Sequence, residues 1–197
     1  MTLVLSTRNA HKVREFAALL DGLGVEPLPD GVELPPETGE TFADNALGKA
    51  RAAAEATGGP AIADDSGIES AALGGAPGVR SARFAGEDAT DEENLALLLR
   101  EAPAGSALRY VCVIAYVDGD VERVFEGHCT GTLAAEPRGS GGFGYDPAFV
   151  PDDVPDGRTM AELSPEEKDA ISHRGRAARD LLAWLADDWS RGSASAG

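Results

Sequence analysis

A chain of 197 residues with 43% apolar content is long enough to bury a core and short enough to form one domain. Its 34 acidic residues outnumber 17 basic ones, and a formal net charge of −17 repels duplex DNA, RNA and anionic membranes, which excludes them as main partners. No charged leader with an apolar centre opens the chain and no apolar run approaches the roughly 18 residues of a membrane span, so the expectation is a soluble cytoplasmic protein whose ligand is a small molecule.

Only three lysines, Lys12, Lys49 and Lys168, stand against fourteen arginines. Either codon bias sets that ratio or these positions need a compact ammonium that a planar guanidinium cannot replace.

Residues 2–5 read as a short apolar strand, followed by Ser6, Thr7, Arg8 and Asn9 and by a helix from Lys12. Val13, Phe16, Ala17, Leu20 and Leu23 recur at helical spacing and predict one buried stripe. The turn before them collects hydroxyls, an amide and cations at a helix N-terminus, where backbone N–H groups and the dipole favour anions. The same residues would also serve as an ordinary cap. It is no Walker A loop, because the glycines and the Gly-Lys-Ser/Thr ending are missing.

A strand over residues 25–28 leads into a Pro-rich loop, residues 27–36. A helix follows, in which Thr41 and Asp44 resemble a capping box and the Ala-rich stretch to Ala56 propagates readily. Asn45 and Lys49, four apart, share one face of it. Glu37, just before it, is either a metal ligand or a glutamate favoured by the helix dipole.

After the break at Gly58, Gly59 and Pro60, an apolar run over residues 61–63 stops on Asp64, Asp65, Ser66 and Gly67. This predicts a buried strand delivering an acidic turn to the rim of a sheet. Ligands of α/β sheets sit outside the carboxyl ends of strands, and successive side chains of an extended segment point to opposite sides. One aspartate is therefore expected to face a ligand while the other is held by backbone or a basic partner. Magnesium takes one or two carboxylates and leaves its other positions to water and phosphates; a solvated turn is the competing reading. Residues 77–84 read as a loop carrying Arg80 and Arg83. Thr90 and Glu93 form a capping box that opens a purely structural helix with Leu95, Leu98 and Leu99 inside.

From residue 108 to 133 the apolar period becomes two, which predicts a hairpin about an Asp118-Gly119 turn. Cys112 and Cys129 lack metal-site spacing and read as buried reduced thiols suited to the cytosol, and His128 reads as a sheet-face residue. Residues 139–147 hold four glycines around Phe143, Tyr145 and Asp146. Such a loop lets backbone approach a ligand closely, and its rings offer faces for a base to stack on, at about 1 to 3 kcal/mol. Ser164, Pro165 and Glu167 start a last helix bearing Lys168, Ser172, His173 and Arg174. Ala178, Leu181, Leu182, Leu185 and Trp189 continue it as a buried stripe, and residues 191–197 read as a disordered polar tail.

Six motifs thus occur in order: Ser-Thr-Arg-Asn-x-x-Lys (6–12), Glu-Thr-Gly-x-Thr-Phe-x-x-Asn-Ala-x-x-Lys-Ala (37–50), Ala-Asp-Asp-Ser-Gly (63–67), Pro-Gly-Val-x-Ser-Ala-Arg (77–83), Gly-Gly-Phe-Gly-Tyr-Asp-Pro (141–147) and Glu-Lys-x-x-x-Ser-His-Arg (167–174). Together, from about residue 2 to residue 189, they closely resemble the inosine triphosphate pyrophosphatase family. The resemblance implies an α/β fold with a long mixed central sheet flanked by helices and a cleft between two lobes. It implies one domain over residues 1–190, usually in a homodimer. The implied reaction is hydrolysis of ITP, dITP and XTP between the α and β phosphates, with Mg2+, which cleanses the nucleotide pool.

Residue by residue, the resemblance implies that Thr7, Arg8, Asn9, Ala10, His11 and Lys12 cradle the triphosphate. It implies that Asp65 is proton acceptor and metal ligand, that Glu37 is a further metal ligand and that Ser66 touches substrate. Phe143, Gly144, Tyr145, Asp146, Lys168, His173 and Arg174 are implied to hold the nucleoside, and Asn45, Lys49 and Arg83 to lie on the phosphate side. Arg8 departs from the family pattern, standing where many relatives have glycine. All three lysines fall inside the motifs. Two alternatives remain: a pyrophosphatase for other nucleotides, such as modified pyrimidine triphosphates, and a non-catalytic nucleotide-binding module.

Overall fold

The longest strands carry apolar residues on both faces, so the sheet needs cover on both sides, and two helices supply it. The molecule is represented by a computed structural model that describes residues 2–194 and the side chains of residues 2–187. Its elements are β1 (Leu3–Leu5), α1 (Ala10–Leu19), β2 (Val25–Pro27), α2 (Phe42–Thr57), β3 (Ala61–Ser70), α3 (Asp91–Glu101), β4 (Ala107–Asp118), β5 (Val121–Leu133), β6 (Phe149–Pro151), α4 (Pro165–Ile171) and α5 (His173–Ala194). The strands form one mixed sheet in the order β2-β1-β3-β4-β5-β6. β1 pairs in parallel with β2 and β3, and the pairs from β3 onward are antiparallel.

β4 shows how the layers form. Val111, Val113, Ala115 and Val117 leave by one face and pack on Phe42, Ala46 and Ala50 of α2. Cys112, Ile114 and Tyr116 leave by the other and meet Ala177, Ala178 and Leu181 of α5 together with Phe16 of α1. A third core gathers Ile68, Leu108, Tyr110, Leu95, Leu98, Phe149 and Met160 at the far end of the long strands. The cores at the two ends of β3, β4 and β5 are the two lobes, and the α/β fold is the one expected. Both cysteines are buried and free. Among the described residues no helix is long and apolar enough to cross a membrane.

Several local expectations need correcting. The acidic residues form no turn: β3 runs on to Ser70, paired without a break from Ala61 against Val117 to Ser70 against Leu108. Pairing with β4 keeps Asp64, Asp65, Ser66 and Gly67 extended, so their side chains leave alternately by the two faces, and Ser66 N, turned away from β4, donates to Asp65 Oδ1 at 3.0 Å. In α1, Ala17 is exposed, while Leu20 caps the helix and Leu23 lies beyond it; both leucines still pack on the core. Residues 77–84 hold a 3₁₀ helix, Gly78–Arg83, rather than an open loop. The hairpin joins Asp118 to Val121 through Gly119 and Asp120, with Gly119 at φ +55°, one residue further on than the sequence suggests.

The last helix is two helices. Ser172 adopts an extended backbone, φ −64° and ψ 152°, and its Oγ accepts from Gly175 N at 3.0 Å, capping α5. The capping boxes at Thr90/Glu93 and Ser164/Glu167 are both formed. Leu181 is fully buried and Leu182 and Leu185 pack beside it. Trp189 lies outside the residues whose side chains are described. α5 extends to Ala194, and positions 195–197 of the expected tail lie outside the described residues.

One glycine sets where α5 begins. A Cβ on Gly127 of β5 would collide with the carbonyl oxygen of His173 and come 2.6 Å from Ala177 N. Only a bare backbone lets the first turn of α5 lie against the sheet there. That contact brings His173 and Arg174 to the cleft.

Candidate active site

A cleft of about 400 Å³ opens between the two lobes. Its walls are the turn before α1, the segment before α2 with Lys49 of that helix, the middle of β3, the Gly-rich loop and the junction of α4 with α5.

At one end, cations face carboxylates. Asn9 caps α1, its side chain accepting from His11 N at 2.9 Å and Lys12 N at 3.2 Å. Lys12 reaches the Asp64 carboxylate at 2.9 Å. Asn45 donates through Nδ2 to Asp65 Oδ2 at 2.9 Å and accepts from Gly39 N at 2.8 Å, so α2 orients the aspartate from a backbone anchor. Lys49 holds Glu37 Oε1, and Arg83 donates to the Glu37 carbonyl at 2.9 Å. The two aspartates divide as the alternation of a strand requires: Asp64 has no exposed surface and sits among cations, while Asp65 lines the cleft.

Their charge states diverge accordingly. Burial would raise Asp64, but Lys12, Arg174 and Lys49 together hold its carboxyl well below the usual range. For Asp65 burial wins, opposed by Lys49 and Asn45 and reinforced by the nearby Glu37, and its carboxyl is raised. Burial would lower Lys49, yet Asp64, Glu37 and Asp65 raise it, so it remains an ammonium.

At the other end a closed network surrounds Asp146. Its Oδ1 accepts from Tyr110 OH at 3.0 Å, and its Oδ2 accepts from Phe143 N at 2.9 Å and from Lys168 Nζ at 2.7 Å. Gly142, at φ +68°, passes so near this carboxylate that a Cβ would strike Oδ2, which explains a glycine at the head of the loop. Lys168 also donates to Glu15 Oε1 at 2.7 Å, and Arg174 donates to the other oxygen of Glu15. Arg174 Nη2 reaches Ser66 Oγ at 3.0 Å and Asp64 Oδ2 at 3.2 Å. Two of the three Lys168 protons are thus committed, and the third is left for a ligand.

Phe143 stacks on His11 with ring centroids 4.9 Å apart, and the Lys168 ammonium lies 5.2 Å from its centroid. His173 stacks on Tyr110 at 4.5 Å. Burial, then Arg174 and Lys168, push His173 well below its ordinary value, so it is a neutral imidazole. Its Nδ1 has no partner among the described residues. Tyr145 is buried, donates to Ser81 O at 2.7 Å and lines the cleft.

Most of the expected residues meet in this one cleft: Thr7, Arg8, Asn9, Lys12, Glu37, Lys49, Asp65, Ser66, Phe143, Gly144, Tyr145, Asp146, Lys168, His173 and Arg174 all line it. Four do not. Ala10 is exposed at the start of α1, His11 acts through Phe143, Asn45 through Asp65 and Arg83 through Glu37. His128 pairs with Glu126 on the sheet surface, away from the cleft.

Three participants escaped the sequence reading. Glu15 lies three residues after Lys12 on the same helix, and that spacing was the available signal. Tyr110 was hidden in the strand alternation. Asp91, the first residue of α3, lines the cleft and accepts from Gly144 N at 2.9 Å, so that helix is not purely structural.

Among the described residues no group of three or more His, Cys, Asp or Glu side chains is placed to hold a metal. The donor chemistry nonetheless fits magnesium, which needs only one or two carboxylates when substrate phosphates complete its shell. Asp65 and Glu37 are near enough for Glu37 to raise Asp65, a repulsion that a cation between them would relieve.

A family model described as the Ham1 family matches residues 3–184. A Mycobacterium tuberculosis protein named dITP/XTP pyrophosphatase is 50% identical over 197 residues, covering 91% of this chain and 93% of that protein. A Shigella flexneri protein of the same name is 50% identical over 190 residues, covering 91% and 95%. The solved HAM1 protein of Coxiella burnetii superposes with a TM-score of 0.84 at 42% identity, covering 95% of this chain and 99% of that one.

Proposed function

The chain belongs to the Ham1 family, and on that premise we propose that it hydrolyses the non-canonical purine nucleoside triphosphates ITP, dITP and XTP to the monophosphate and pyrophosphate. The observation that carries this reading is the polarity of the cleft. A lysine-lined end holds a carboxylate, Asp65, that makes no ion pair among the described residues, and the opposite end presents Phe143 beside a Lys168 ammonium with one proton unspent.

The phosphates lie along Thr7, Asn9, Lys12 and Lys49, where fixed cations offset their charge without reorganisation. Water held by Asp65 attacks phosphorus and gives its proton to that carboxylate, while the bridging oxygen leaves with pyrophosphate. Burial, which raises Asp65, makes it a better base than an exposed aspartate. Asp65 and Glu37 would hold Mg2+, which would neutralise the phosphate oxygens when bound.

At the other end the base stacks on Phe143, and O6 of hypoxanthine or xanthine accepts from Lys168 or His173. Adenine would leave that donor facing an amino group, and a site built for a hydrogen bond rejects such an analogue strongly. Two buried reduced cysteines suit a cytoplasmic protein, and a homodimer without nucleic-acid partners follows from the family resemblance and the net charge of −17.

The test is pyrophosphate release from ITP, XTP, ATP, GTP and dUTP with Mg2+ by the wild type and Asp65→Asn. Release confined to ITP and XTP, falling about 10²- to 10⁴-fold in the variant, is expected. Binding of ITP without release would leave a nucleotide-binding module, and preference for dUTP would move the substrate class.

A further inference from the structure

Asp64 stands beside the reacting carboxylate yet is cut off from it. It leaves β3 by the opposite face from Asp65 and has no exposed surface. Its Oδ2 accepts from Lys12 Nζ at 2.9 Å and from Arg174 Nη2 at 3.2 Å, with Cys112 Sγ at 3.9 Å. Its Oδ1 has no partner among the described residues. One oxygen therefore fixes both a lysine at the phosphate end and an arginine that braces the nucleoside end. Arg174 passes the constraint on, since it also holds Ser66 Oγ and Glu15, and Glu15 holds Lys168.

We propose that Asp64 is a positioning residue that couples purine discrimination to triphosphate placement, through the single carboxylate oxygen shared by Lys12 and Arg174. This rests on the pyrophosphatase reading above. Two cations that share one buried anion cannot shift independently: movement of Arg174 when the wrong base arrives displaces the oxygen that sets Lys12. Neutralising Asp64 uncouples them. It also leaves the cleft one unit more positive, so a triphosphate is held no less tightly while its geometry for attack is lost. The signature is a split between kcat and KM rather than a uniform loss of binding.

The experiment compares wild type with Asp64→Asn, after circular dichroism shows both to be folded. Steady-state kinetics on ITP and ATP are measured, together with calorimetric binding of inorganic tripolyphosphate with and without inosine, which fills the nucleoside end and carries no phosphate of its own. In the variant kcat for ITP falls, its KM does not rise, and the ITP-to-ATP ratio of kcat/KM drops by roughly 5- to 150-fold, the usual size of a coupling between sites. Inosine changes tripolyphosphate affinity in the wild type and no longer does so in the variant, because coupling is reciprocal. Equal losses for ITP and ATP, with the calorimetric coupling intact, would overturn the proposal and leave Asp64 a structural residue. If Asp64→Asn does not fold, Asp64→Glu carries the same test, since it keeps the charge and displaces the oxygen by one methylene; unchanged selectivity there overturns the proposal too. A wild type that releases no pyrophosphate overturns the functional reading and this proposal together, whereas an active wild type with an uncoupled prediction that fails overturns only the latter.

Discussion

The two ends of the cleft handle charge in opposite ways. At the nucleoside end, Lys168 and Arg174 are matched against Asp146 and Glu15, with Lys168 touching both carboxylates and Arg174 touching Glu15. At the phosphate end, Lys12 is matched to Asp64 and Lys49 to Glu37, but among the described residues Asp65 is hydrogen-bonded only to an amide and a backbone N–H. A purine base is uncharged, so recognising it calls for donors fixed in place with little net field. Hydrolysis calls for a carboxylate not already neutralised by a cation, able to take a proton. The difference between a sealed network and an unsealed one is the difference between selecting and reacting.

The strongest way to break this comparison is to move one end against the other. Gly127→Ala puts a methyl into the His173 carbonyl and against Ala177 N, and both obstacles are backbone, which cannot rotate away. The start of α5 must lift, taking His173 and Arg174 with it. A cost of about 3 kcal/mol is expected from overpacking at such a site, read as a lowered midpoint in denaturant unfolding. Purine selectivity should be lost while inorganic tripolyphosphate still binds to the lysine end. Loss of tripolyphosphate binding to the same degree as selectivity would show that the two ends do not form separately.

A subtler change separates the ends by pH. Burial would raise Glu15, but Arg174 and Lys168 outweigh it and hold the carboxyl below its ordinary value of 4.5. A group depressed in the folded state contributes stability that is complete above the unfolded value and fades as pH falls through the folded one. The wild type should therefore lose part of its stability in the acid range below 4.5. Glu15→Gln should be less stable at neutral pH by about 1.5 to 3 kcal/mol, the worth of hydrogen bonds to charged groups, and flatter in that acid window. Thermal melts from neutral to acid pH measure both. A variant with the wild-type acid slope would mean that Glu15 does not tie Lys168 to Arg174.

How much of this was legible before the structure depended on range. The turn at Asn9, the capping boxes at Thr90 and Ser164, and the shared face of Asn45 and Lys49 follow from contacts three or four residues apart and formed as read, whereas Thr41 caps Asp44 N without the reciprocal half of the expected box. Asp64 to Gly67 read as a turn because polar residues and a glycine signal one locally. What keeps them extended is β4, some fifty residues later, which pairs with each of them. Nothing near Gly127 in the sequence marks it, since its role depends on a helix that starts at residue 173. Ser172 was visible on the last helix, but that it breaks the helix is decided by its cap on Gly175 and by the docking of α5. Family resemblance supplied the assembly that spacing could not.

The smallest effect is expected at Arg8, which the phosphate end uses indirectly. Its guanidinium donates to the carbonyls of Leu28 at 3.1 Å, Pro29 at 2.8 Å and Val32 at 3.2 Å, and its side chain is 48% exposed. The segment it clasps is Pro-rich and has few backbone partners of its own, and it continues to Leu34, Pro35 and Glu37 on the cleft wall. Arg8 thus steadies the strip of chain that carries Glu37 without belonging to the charge pairs themselves. Arg8→Gly removes the clasp and adds backbone freedom, for a cost of about 1 kcal/mol. Amide exchange over residues 28–36 should quicken, and KM for ITP should rise about two- to fivefold with kcat nearly constant, because uniform binding rather than the reacting geometry is weakened. A fall in kcat of the size expected for Asp65→Asn would instead place Arg8 on the reacting phosphates, and the unsealed end would then rely on one more cation than its ion pairs indicate.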